Sequence, residues 1–187
     1  SEAGEDEKAG KVYNKLLSRL TDKDKVKKEF WPIYEDESCQ IGSPVFDFLL
    51  ANLPSIRENV GTEKVDNYLF RKYCKILEDY ILGYQKKDAV PVSLLKQQIP
   101  GLNIKQQQSL NTMLPLAEMV SDRNVKTLAS VIESKIPTAG TQELKMYIFA
   151  YRAIRWQTKD ADAQPQFQET GRKLTDLVIA SMENRQA

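Results

Sequence analysis

Apolar residues recur along this chain at three- and four-residue steps, and Ser, Thr, Gly and Pro break the pattern at intervals. That period gathers side chains on one side of a helix, and no stretch shows the strict alternation of a strand. The clearest stripe runs from Thr62 to Leu82 through Val65, Tyr68, Leu69, Ile76, Tyr80 and Ile81. Thr62 stands as its cap with Glu63 beside it, and Gly83 follows where a left-handed C-cap belongs. At about 1.5 Å per residue this helix is roughly 30 Å long, enough to be the spine of a domain.

Upstream, Val12, Leu16, Leu17 and Leu20 predict a helix over 9–20. Thr21 caps a second, with Asp22 and Asp24 in the first turn, where the helix dipole favours negative charge. It carries Val26, Phe30 and Trp31, and Pro32 ends or kinks it for want of an N–H. Gly42-Ser43-Pro44 is a restart, with Ser43 as N-cap and Pro44 at the first helical position. Val45, Phe46, Phe48, Leu49 and Leu50 make the next helix apolar almost all round, so it is expected to be buried. A break follows at Asn52-Leu53-Pro54, and a short segment with Ile56 and Val60 ends at Gly61.

Downstream, residues 84–103 are less regular, and Pro91, Pro100 and Gly101 bracket a short helix from Val92 to Ile99. Any subdivision of the domain is expected here. Four more stripes follow. The first holds Leu110, Met113, Leu114 and Ala117, with Pro115 predicting a kink. Ser121 caps the second, whose core face is Val125, Leu128, Ala129, Ile132 and Ile136 before Pro137. Thr141 caps the third, with Leu144, Ile148 and Tyr151. The last follows Pro165 and aligns Phe167, Leu174, Leu177, Val178 and Ser181; Gly171 on that stripe predicts close approach of another helix. The expectation is an all-α domain over 9–187 behind a disordered polar tail, 1–8. It is an irregular stack of about eight to ten helices arranged as antiparallel hairpins, with a solenoid-like stack as the variant. Helix starts lie about 20 residues apart, but the tetratricopeptide signature is absent.

Charge adds little to this picture. The chain has 27 basic and 26 acidic residues, and no basic stripe of the kind that marks a nucleic-acid binder. No apolar run approaches the roughly 20 residues that span a bilayer. The start, Ser1-Glu2-Ala3-Gly4-Glu5-Asp6-Glu7, has neither the basic beginning nor the apolar middle of a signal peptide. It lacks an initial Met, so a processed form or a piece of a longer protein is expected.

Missing residue types narrow the chemistry. With no histidine, the chain cannot build Ser-His-Asp or Cys-His nucleophiles, and nearly all zinc sites are excluded. Cys39 and Cys74 form no C-x-x-C pair. A disulfide between them would close a loop of about 36 residues, worth roughly 3–4 kcal/mol; two buried or half-buried thiols is the simpler reading. No Gly-rich phosphate loop occurs. No catalytic, cofactor-binding or metal-ligating residue is therefore assigned, and the chain is read as no enzyme.

Three constellations have both a chemical and a structural reading. Glu35-Asp36-Glu37 is a cation site or, lacking spaced ligands, a solvated turn. Tyr151-Arg152 with Arg155-Trp156 is a place to stack a base or bind a carboxylate, or a cation–π staple of Arg155 on Tyr151 within one helix. Phe30, Trp31, Tyr34, Phe46 and Phe48 line a ligand pocket or pack as core.

The order of blocks also resembles a known family. Leu16-Leu17-Ser18-Arg19-Leu20-Thr21-Asp22, Phe30-Trp31-Pro32-Ile33-Tyr34, Ser43 through Asn52 and Gly61 through Tyr68 are similar to the helical region that follows the thioredoxin-like domain in exported Bacteroidetes proteins. The likeness covers residues 11–83; beyond that it is helical character alone. It implies an extracytoplasmic (periplasmic or envelope-associated) setting and a non-catalytic helical module that positions a protein or peptide partner, or an adjacent thioredoxin-like domain. The family's redox chemistry belongs to a C-x-x-C that is not in this chain, so no catalytic residue carries over. The alternative is a free-standing helical-repeat adaptor that binds a peptide or protein.

Overall fold

The computed structural model describes residues 15, 24, 27, 28, 31–35, 41–84, 90–135 and 139–184. The tail 1–8, nearly all of the two helices expected over 9–30, and Asp36, Glu37, Cys39 and Ile136 lie outside them. The described residues are helical, with no strand among them. In chain order they form α1 (Trp31–Glu35), α2 (Pro44–Ala51), α3 (Leu53–Val60), α4 (Thr62–Leu82), α5 (Val92–Gln98), α6 (Ile104–Ser121), α7 (Val125–Lys135), α8 (Thr141–Gln157) and α9 (Pro165–Glu183), with 3₁₀ turns at Ile99–Gly101 and Ala161–Ala163. The chain divides into two compact units, Ser1–Lys72 and Tyr73–Ala187, and the division falls inside α4. No helix is long and apolar enough to cross a membrane among the described residues.

In the first unit the helix grammar holds at α2. The Ser43 Oγ accepts from the Phe46 N–H at 3.2 Å, and Pro44 stands at the first helical position. Asn52 closes the helix by donating its side-chain amide to the Phe48 carbonyl at 2.8 Å, and α3 begins at the next residue. Pro32 is the second residue of α1, a place where a missing N–H is tolerated. The helix it was expected to end or kink lies almost wholly outside the described residues. The aromatic knot is core: Trp31, Tyr34, Phe46 and Phe48 are each at most 2% exposed. Trp31, Tyr34 and Phe46 gather around Tyr68 of α4, whose ring meets Trp31 edge-on at 5.4 Å and Tyr34 at 6.4 Å. The Phe30 side chain lies outside the described residues.

In the second unit, α9 packs along α7 and α8 packs along α6, and Lys173 ties α9 to Glu133 of α7 at 2.7 Å. The α6 helix is buried more widely than its expected stripe, since Leu116, Met119 and Val120 join Leu110, Leu114 and Ala117 in the core. It continues through Pro115, which leaves the Asn111 carbonyl without its ladder donor. Its end corrects one expectation. Ser121 is the last residue of α6, and the cap of α7 is Asn124, whose Oδ1 accepts from the Thr127 N–H at 3.1 Å. Between them Arg123 adopts a left-handed φ of 53°, with Asn124 N–H bonded to the Met119 carbonyl and Arg123 N–H to the Val120 carbonyl. This is a Schellman ending built on a residue with a Cβ.

The C-terminus of α4 makes the same ending with a glycine. Gly83 has φ 77°, Tyr84 N–H reaches the Asp79 carbonyl and Gly83 N–H the Tyr80 carbonyl. A Cβ at Gly83 would stand 3.1 Å from the Ala153 Cβ on α8. Gly83→Ala is therefore expected to destabilise by about 2–3 kcal/mol, from left-handed strain plus overpacking. Arg123→Gly removes only strain and is expected to stabilise by up to about 1 kcal/mol. Urea midpoints of the two variants check both signs. Equal and opposite shifts would show that the Ala153 contact contributes nothing at Gly83.

The α8 helix also departs from expectation. Gly140 occupies its N-cap, and the first helical residue is Thr141. Its core face is Leu144, Tyr147, Ala150, Ala153 and Ile154, while Ile148 is exposed. Close approach at Gly171 is observed as expected, with the Tyr151 Oη 3.0 Å from where a Cβ would stand. That hydroxyl donates to the Phe167 carbonyl at 2.9 Å.

Candidate functional site

Most of the groups singled out in the sequence have structural partners. Glu35 accepts from the Trp31 indole N–H at 2.8 Å and pairs with Lys64 at 3.0 Å. Those two bonds hold its carboxyl below the ordinary range. Among the described residues no three metal-binding side chains cluster. Cys74 is a half-buried free thiol, and burial together with the Glu78 carboxylate pushes its pKa up. A raised thiol pKa keeps the thiolate scarce at neutral pH, the reverse of a reactive cysteine.

On α8 the guanidiniums choose partners other than those the spacing implied. Arg155 pairs with Asp162, Nη2 to Oδ1 at 2.6 Å. Its neighbour Arg152 makes the cation–π contacts, with its guanidinium carbon 4.5 Å from the centre of the Trp156 ring and 5.5 Å from that of Phe149. Phe149, Arg152 and Trp156 thus stack along one side of the helix at steps of three and four residues. The Arg152 Nε is shut off from water and has no acceptor among the described residues. The ring faces partly offset that loss, because their negative quadrupoles face the cation. Trp156 remains 65% exposed and Ile148, on the same side, 38%.

This outer stripe of α8 has an unusual charge. It carries Lys145, Arg152 and Arg155, and the helix's one acidic residue, Glu143, lies elsewhere. Glu143 accepts from the Tyr147 hydroxyl at 2.7 Å and pairs with Lys135 of α7 at 3.0 Å. The Tyr147 bond holds the Glu143 carboxyl low, while burial and that same carboxylate push the Tyr147 hydroxyl up. Asp162 answers Arg155, but neither Lys145 nor Arg152 has an ion-pair partner among the described residues.

Of these residues Arg152, Arg155 and Trp156 stand out in the sequence, whereas Lys145 and Phe149 do not and Ile148 is expected in the core. The signal for all of them was a second helical period, 145-148-149-152-156, running beside the buried one. No protein-family model, curated protein or solved structure matches the chain.

Proposed function

We propose that this chain is a non-catalytic helical interaction module that holds a protein or peptide partner. The observation that carries the reading is the exposed Trp156, whose ring stacks against the Arg152 guanidinium. Tryptophan and arginine are the side chains most enriched where binding energy concentrates, and a pre-ordered ring loses little entropy on contact. The resemblance of residues 11–83 supports an accessory role beside a thioredoxin-like domain in an extracytoplasmic setting. Packing of α8 on α6 and of α9 on α7, each two helices on, favours a stack of antiparallel hairpins with solenoid-like character. The second reading is a free-standing adaptor, supported by the same α8 surface.

Sizing the native protein by immunoblot of its source cells separates the two. A band larger than 21.4 kDa by about 12 kDa, a domain of ~100 residues, supports the accessory role. A band at the chain's own size supports the adaptor. Insulin-disulfide reduction by the chain that survived Cys39→Ser and Cys74→Ser would overturn both.

A further inference from the structure

We infer that the outer stripe of α8 receives an acidic peptide segment, with a carboxylate on the free edge of the Arg152 guanidinium and an apolar side chain against Trp156. The inference rests on reading the chain as an interaction module and names the chemistry of its partner. Charge complementarity carries it. Lys145, exposed, and Arg152, half-buried, have no counter-charge among the described residues, and they lie next to the exposed apolar surface of Trp156 and Ile148. A guanidinium stacked between two rings has its planar fork already oriented, so its outer N–H groups can take a carboxylate in two parallel bonds. Aromatic walls also exclude water from one side of the pair, which strengthens it relative to an open surface pair.

The surroundings favour a peptide over a nucleic acid. Asp160 and the Arg155-paired Asp162 follow Thr158 and Lys159 beyond the C-terminal end of α8, so a continuous polyanion running along the stripe would meet both carboxylates. A peptide of alternating acidic and apolar residues would not, since its carboxylates can be confined to the Lys145–Arg152 stretch.

The test is titration of the whole chain with a synthetic peptide of alternating glutamate and leucine, followed by the indole N–H resonance of Trp156, which is assigned by its loss in Trp156→Phe. The peptide is expected to shift that resonance saturably and to bind less tightly as salt rises. Arg152→Gln is expected to weaken binding by about tenfold. Lys145→Gln, on an exposed side chain, is expected to weaken it by about threefold without any effect on folding. A glutamine–leucine peptide that bound equally well would overturn the acidic partner yet leave the interaction reading in place. Inorganic phosphate that shifted the same resonance and displaced the peptide would overturn it in favour of a phosphate group. No shift with any of the three, or binding unchanged in both variants, would overturn it outright.

Discussion

Asp66→Ala is expected to destabilise the first unit by about 3–5 kcal/mol, the scale of a broken buried ion pair. Asp66 lies on α4 with its side chain only 7% exposed, and Arg57 of α3 reaches it with Nη2 at 2.7 Å and Nε at 2.9 Å, both on Oδ1. Removing the carboxylate takes away the ion pair that both Nη2 and Nε of Arg57 make, on a side chain that is only 21% exposed. The measure is urea unfolding followed by Trp31 emission, in a Trp156→Phe background so that only the first unit reports. Arg57→Met combined with Asp66→Leu should lose less than Asp66→Ala alone, because an apolar pair strands no charge. A loss below about 1 kcal/mol for Asp66→Ala would mean that the pair behaves as a solvated surface bridge.

That pair also shows where the sequence stops being informative. Arg57 and Asp66 sit on successive helices separated by Gly61, whose φ of 110° sets the turn between them. Nothing in a nine-residue spacing between two charges announces such a meeting. Caps and periods were legible where side-chain chemistry is local: Ser43 and Pro44 at α2, Gly83 after α4, and the buried faces of α7 and α9. Each of those signals arises from bonds within a few residues. The ending of α6 was not legible, because Arg123 takes a conformation that usually marks glycine, and so Ser121 stood in for Asn124 as the cap. The face of α8 was misplaced because its core contacts include the small Ala150 and Ala153, while the larger Ile148 points outward. Weighting by side-chain size fails where helices approach closely over alanines. The division at Lys72 and Tyr73 was hidden for a related reason, since the helical period of α4 continues across it without a break. The stacked Arg152 is half visible: Arg152 and Trp156 stand out in the sequence and Phe149 does not, and only the turn after α8 hands Arg155 to Asp162 and leaves Arg152 on the rings.

Ile132→Ala is expected to cost about 2–5 kcal/mol, the range for emptying a buried aliphatic position. Ile132 is fully buried on α7, on the stripe it shares with Val125, Leu128 and Ala129, and α9 packs along this helix. The size of the loss depends on whether that pair of helices can settle into the void. Lys173 bonds across to Glu133, the residue next to Ile132, and α9 carries Phe167, Leu174 and Leu177 into the core, so collapse is opposed by neighbours already packed. The upper half of the range is therefore expected. Ile132→Val removes one methylene and should cost about 0.5–1.5 kcal/mol, giving a graded series instead of a threshold. Ser130→Ala on the exposed face should change stability by less than about 0.5 kcal/mol. Thermal and urea unfolding of the three variants decide the matter together. A loss below about 1 kcal/mol for Ile132→Ala, or one matched by Ser130→Ala, would mean that α7 presents a different face to the core.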